Sequence, residues 1–560
     1  MNRRATLATM LGKPVTKTLK PQQKQAIQPP NEGTLTPYSG TWSYDQAAHL
    51  LRRTTFGPSY ASIKEAVSKG MNATIDQLLN DLPLPQPPVN PGNTNDPTVP
   101  IGATWVNAPY SPDINLRNYR NQSLRAWTFG LMLNEGISIR EKMTLFWHNH
   151  FAINQMNVND PKYFYNYATT LRSYALGNFR EMVKAITTEP AMLRFLNGNQ
   201  NTKNAPNENY ARELMELFTL GKGELAGPGD YTTFTEQDVA EMAKVLTGWR
   251  DRGYNTNNPE IPVESYFQLN RHDTGSKQLS HRFNNVVITN LGNQEYAHLV
   301  NIIFQKPEVA RFISRKLYRW FVYYEINNTI EQNVIEPMAQ LLIENDYNIK
   351  PVVEALFKSE HFYDVLNLGP MIKNPMDFIV SAVKQTQIIF PQELGRLYNA
   401  WYRLFRLSPQ MQMEYYNPPD VAGWKAYYQT PSFYRLWINA STLPYRMELT
   451  DLLTGNGFNL GGGLRLKIDA LSFVKTLDDP FDPNLVISGF AKILFPQPLT
   501  EEQAKALKEV LIPGLPDYEW GIEYSDYLTN PVDTQLARSV EAKLQSLLKA
   551  ILSMPEFYLS

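Results

Sequence analysis

Apolar positions along residues 204–249 recur at helical spacing, and the rest of the chain is read outward from them. Tyr210, Leu214, Leu217 and Phe218 fall at i, i+4, i+7 and i+8, one buried stripe of a helix that Gly221 stops. Residues on such a helix are about 100° apart, which sends Glu208, Asn209, Arg212, Glu213 and Glu216 to the opposite side. Glu208, Arg212 and Glu216 form an i, i+4 charge ladder there. Thr235-Glu-Gln-Asp238 has the form of a capping box, and Val239, Met242, Ala243 and Leu246 make a second stripe that ends at Thr247-Gly248. The two segments predict a helical hairpin.

The same periodicity runs through most of the chain. It predicts helices over 43–53, 59–79 (as a pair), 118–152, 160–196 and 307–321. In the last of these Val309, Phe312, Ile313, Leu317 and Trp320 are apolar, and Arg311, Arg315 and Arg319 form a basic row. That row suits a solvated face, the carboxylates of 208–216, or an anionic ligand. Pro, Asn and Gly crowd residues 82–116, which reads as a long surface loop, and 251–291 reads as irregular. Strand-like alternation is hardly visible, so the predicted class is all-α: one large body over 41–560, with lobes at 41–365 and 366–560, little or no sheet, and an extended arm over 1–40.

Composition narrows the function classes. The 560 residues carry 53 Lys and Arg against 54 Asp and Glu, a net charge of −1 without a basic stripe, which argues against nucleic acid as a partner. Cysteine is absent, so disulfides, thiolate metal sites and cysteine nucleophiles are excluded. No apolar run is long enough to predict a transmembrane segment. Asn2-Arg3-Arg4 looks like a twin-arginine leader, but Ala5–Leu11 is too short and mixed for its apolar region.

Candidate chemistry follows from the polar positions. Glu208, Arg212, Glu213 and Glu216 place three carboxylates and one guanidinium on a shared face, which suits either a solvated ion-paired surface or an acidic pocket. His272, Asp273 and Lys277 fall in a glycine-containing turn, where a histidine beside a carboxylate and an ammonium suits acid–base work as well as turn capping. His148 and His150 tempt a metal reading. Positions two apart on a helix diverge by about 200°, so a hydrogen-bonded core role is expected for His150, with His148 directed elsewhere. Gly455–Gly463 is a glycine-rich loop without the Lys-Ser/Thr of a phosphate cradle.

Six segments in order resemble a bacterial family, the domain of unknown function numbered 1800. They are Leu50-Leu-Arg-Arg-Thr-Thr-Phe-Gly57, Phe146-Trp-His-Asn-His-Phe151, Asn207 through Gly221, Thr235 through Trp249, Asn417-Pro-Pro-Asp-Val-Ala-Gly-Trp424 and Ser553-Met-Pro-Glu-Phe557. The resemblance implies a helical fold, a periplasmic or cell-surface location, and a neighbouring sulfatase- or phosphatase-like protein as partner. It leaves cofactors unknown. Two readings remain open: a hydrolase-like enzyme in which Glu208, Arg212, Glu213 and Glu216 floor a pocket shared with His148, His272, Asp273 and Lys277, or a non-catalytic scaffold whose polar face is an internal salt-bridge network.

Overall fold

The computed structural model describes residues 33–560 apart from 93–95, 97, 112–114 and 531. Most of the arm predicted over 1–40 therefore lies outside the described residues. Its last residues run against the body: Tyr38 N–H donates to Lys358 O at 2.7 Å, and Ser39 donates to Glu360 through both N–H and hydroxyl at 2.7 Å.

The protein is mostly helical, with 54% of residues in helix and 7% in short strands. Local signals place the helices where the sequence predicts them. Ser43 caps Tyr44–Thr54 by accepting from Asp45 N–H, and Thr235 with Asp238 closes a full capping box at the start of Glu236–Val245. Pro307 opens Pro307–Phe321, where its missing N–H costs nothing.

Three local features depart from the predicted pattern. The 208–221 segment is α-helical only over Glu208–Glu213 and then widens to a π-helix over Leu214–Thr219, with Thr219 Oγ1 donating to Leu214 O at 2.5 Å. The widened turn changes the register, so Met215 is fully buried while Leu217 is only partly covered. Sheet is present as four two-stranded antiparallel ribbons: 225–227 with 230–231, Trp249–Arg252 with Glu264–Phe267, 277–278 with 287–288, and Phe458–Gly461 with Leu464–Leu466. The glycine-rich loop is the last of these hairpins, turning through Gly461, Gly462 and Gly463 at φ 83°, 58° and 79°.

One core runs through the molecule, anchored by the fully buried Trp105, Trp147, Trp424 and Trp520. Two helix contacts position the site described next. Gly57, at φ 58°, brings the end of Tyr44–Thr54 against Pro375–Lys384, and a Cβ there would lie 2.6 Å from Ser381 Cα. Gly423 presses on Arg140–His150, where a Cβ would lie 2.4 Å from Asn149 Oδ1, and that oxygen accepts from Trp424 N–H at 3.0 Å. The carboxy-terminal helix Thr534–Leu552 packs against Leu443–Thr454 and Glu501–Leu511.

Candidate functional site

The predicted polar residues assemble in separate places. Arg212 is bound in a fan of carboxylates: it donates to both oxygens of Glu236 at 2.9 and 2.7 Å and to Glu208 at 3.3 Å, with Glu216 3.8 Å away. Lys222 approaches Glu216 at 3.1 Å. Glu236, on the partner helix of the hairpin, is the strongest tie and was not anticipated. The carboxyl of Glu213 titrates above its ordinary range because it is partly buried, with Glu216 and Asp420 adding repulsion.

His272 and Lys277 meet on Glu295, which opens the helix Glu295–Ile303. His272 Nε2 lies 3.1 Å from one Glu295 oxygen, and Lys277 donates to the other at 2.6 Å. His272 Nδ1 lies 2.9 Å from Thr247 O. Lys277 also donates to Asp273 O, while the Asp273 side chain accepts from Gly275 N–H at 2.8 Å. All three of His272, Lys277 and Glu295 are buried, and their polar atoms face one another. Among the described residues no hydrogen bond or ion pair joins this node to the Arg212 fan.

The two histidines diverge as their spacing requires. Tyr167 gives its hydroxyl proton to Phe151 O at 2.8 Å, so His148 Nδ1, 3.0 Å from the same hydroxyl, carries the ring hydrogen. Burial pushes the His148 pKa down to about 3. His150 donates from Nε2 to Phe218 O at 3.0 Å, which leaves Nδ1 as an acceptor for Lys316 at 3.1 Å. No cluster of three or more His, Asp or Glu suited to a metal ion occurs among the described residues.

The unbalanced charge of the molecule lies elsewhere, in two small chambers that abut across a shared wall of Trp320, Met371, Tyr427 and Tyr434. The first, about 30 Å³, is bordered by Arg52, Arg53, Lys142, Asn374 and Asp377. Arg53 is 3% exposed and donates from Nη2 to Asn367 O at 2.7 Å, yet its Nε and Nη1 have no hydrogen-bond partner among the described residues. Nε of Arg52 is likewise unpartnered. Lys142 pairs with Asp377, which also accepts from Asn374 at 2.8 Å. Lys373 and Arg446 also lie within electrostatic reach of this carboxylate. Arg446 donates to Lys373 O at 2.9 Å and leaves Nε and Nη1 unpartnered.

Four cations, Arg53, Lys142, Lys373 and Arg446, thus share one aspartate, with Arg52 as a fifth beside them. Desolvation accordingly drives their pKa values down, Arg53 and Arg446 to about 10 and Lys373 to about 7, with neighbouring cations contributing at Lys373. Aromatic faces offset part of the cost, since Lys142 sits 4.6 Å over Phe56 and Arg446 4.8 Å over Phe378. A ring face does not satisfy the in-plane N–H groups of Arg53.

The second chamber, about 40 Å³, is bordered by Asn149, His150, Lys316, Arg319, Tyr324 and Phe433. On the measure by which one water needs roughly 10–15 Å³, each chamber has room for a few waters or one small oxyanion. A larger cavity of about 390 Å³ meets the outer side of Arg52, but there the guanidinium is tied to the carbonyls of Lys492 and Ile493 at 2.8 and 3.2 Å.

The sequence reading missed Arg53, Lys142, Lys373 and Arg446 and saw Arg319 only as part of a row. One signal was available: Arg53 stands three residues after Leu50, and Arg446 three before Leu449 and seven before Leu453, so both fall on apolar stripes.

The sequence model of a family described as "Protein of unknown function (DUF1800)" matches residues 49–559. No curated protein and no solved structure matches the chain. Segments 50–57, 146–151 and 417–424, which carry the resemblance noted from the sequence, all contribute side chains to the two chambers.

Proposed function

The chain belongs to the DUF1800 family, and from the geometry of its chambers we propose that it binds a small oxyanionic ligand, a phosphate, sulfate or carboxylate group, beside Arg53. The observation that carries this reading is the pair of buried Arg53 N–H groups, unpartnered among the described residues, in a cavity whose acidic side chain, Asp377, is already engaged by Lys142. The unpartnered Nε–H and Nη1–H groups leave different edges of the guanidinium plane, so each offers a single charge-assisted hydrogen bond to an oxyanion. An arriving anion would also relieve repulsion among the five cations.

Thermal unfolding tests it. Phosphate or sulfate should raise the melting temperature above that in chloride at matched ionic strength, by the linkage that gives about 2.7 kcal/mol at a ligand concentration of 100 Kd. Arg53→Met should abolish the rise. Equal melting in the three salts overturns the reading.

Hydrolysis at the 208–216 face is a second reading, supported by the raised pKa of Glu213, the direction a general acid requires. Glu213→Gln should then remove activity with stability kept. A loss of stability instead would support the scaffold reading. A periplasmic or cell-surface location and a sulfatase- or phosphatase-like partner belong to this proposal and rest on the family resemblance.

A further inference from the structure

The helix Pro307–Phe321 carries four cations toward one side of the core, and they divide into two kinds. Arg311 donates to Glu336 at 2.7 Å, and Arg315 holds both oxygens of Glu331 at 3.0 Å. Lys316 and Arg319 border the second chamber, and among the described residues neither has a carboxylate within ion-pair reach. Lys316 donates instead to two neutral acceptors, His150 Nδ1 and Leu217 O, each at 3.1 Å. Arg319 donates to Tyr324 O at 3.2 Å and lies 5.5 Å over Phe433. Residues three apart on a helix share a face, with Cβ atoms about 5–6 Å apart, so amine and guanidinium flank one small space.

We propose that Lys316 is a reactive amine that captures a carbonyl compound carrying an anionic group, with Arg319 receiving the anion. The inference rests on the anion-binding reading above and extends it to the second chamber. The neutral amine attacks the carbonyl carbon, forming a C–N bond as the C=O π pair moves to oxygen. A proton passes from nitrogen to that oxygen to give a carbinolamine, and loss of water leaves the C=N imine, so amine and carbonyl are consumed for one imine and one water. No oxidant or reductant enters.

The environment of the amine is suited to this step. Burial, with Arg319 adding repulsion, pushes the Lys316 pKa down to about 7, so much of it is neutral near neutral pH. His150, whose tautomer is fixed by Phe218 O, presents a lone pair that holds the nitrogen at the chamber edge. A plainer role exists for the same contacts: Lys316 and His150 cap the carbonyls of Leu217 and Phe218 in the π-helical segment. Capping accounts for the amine's hydrogen bond to Leu217 O but not for the chamber or for the second cation beside it that has no carboxylate partner among the described residues.

Reductive trapping on the full chain separates these roles. The protein is incubated at pH 7 with glyoxylate and cyanoborohydride, which reduces any imine to a stable secondary amine, and modified lysines are mapped by peptide mass spectrometry. Lys316 should be labelled at least about tenfold faster than the exposed Lys64 and Lys69, a conservative figure beside the roughly thousandfold excess of neutral amine that three pKa units allow. The preference should fall when uncharged acetaldehyde replaces glyoxylate, and in Arg319→Met. Equal selectivity with both aldehydes overturns the anion-receiving role of Arg319. Labelling of Lys316 no faster than Lys64, with phosphate still raising the melting temperature, overturns the amine inference and leaves the anion site standing. Failure of both measurements removes both.

Discussion

Two of the regions in which this protein buries basic side chains treat them in opposite ways. At the Glu295 node, Lys277 and His272 each face one oxygen of a carboxylate that is itself fully buried, and every group is met within one hydrogen-bonded cluster. In the Arg53 chamber, four cations interact with Asp377 and Arg52 lies beside them, with guanidinium N–H groups left over among the described residues. A buried charge whose partner is built in is part of the framework. One without a partner among the described residues is, on the proposal above, a place for something brought from outside.

The largest effect expected from this contrast is at the node. Glu295→Gln leaves the buried Lys277 ammonium only the partly exposed Asp273 carboxylate, 3.8 Å away, as a counter-charge and should cost about 3 kcal/mol in urea unfolding, with the slope unchanged. A loss below about 1 kcal/mol would erase the distinction between the two regions. Arg53→Met should do the reverse: in chloride it should unfold no more easily than the parent, because a repelling cation is removed, while the response to phosphate disappears. A destabilisation as large as that of Glu295→Gln would make Arg53 part of the framework.

A smaller, pH-dependent effect sharpens the comparison at Lys316. Its folded pKa is depressed from the ordinary lysine value to about 7, so between pH 7 and 10 the unfolded chain holds a proton that the folded chain does not. Stability therefore rises with pH across that window because of this residue. Relative to Lys316→Met, the parent should gain stability from pH 7 to 10, measured as the difference in urea midpoint. A constant difference would mean that the amine titrates normally. The smallest effect belongs to the Arg212 fan, whose members are about a third to a half exposed apart from Glu216. Arg212→Ala should cost under about 1 kcal/mol, and less at high salt.

The sequence made the helices legible because their signals are local: a cap, a stripe of apolar residues, a terminating glycine. The Thr235–Asp238 box and the Pro307 start are complete within a few residues. The π-helical turn at Leu214–Thr219 leaves no such mark, and it moved Leu217 out of the stripe that periodicity assigned to it. The site was less legible because its character lies in which charges lack partners. Arg311, Arg315 and Arg319 are equivalent along the chain, and they separate only when Glu336 and Glu331 fold against the first two. Likewise Glu295 is 18 residues from Lys277, and Asp377 is 235 from Lys142. Neither tie could be read from spacing.

Gly57 carries a consequence for evolution and engineering alike. The atom it lacks lets the chain just after Tyr44–Thr54, which carries Arg53, close onto Ser381 of Pro375–Lys384, which carries Asp377. A methyl group here would act as a shim, prising the guanidinium from the carboxylate without touching either. On the anion-binding proposal, the bore of the chamber would then be adjustable from a residue that does not line it.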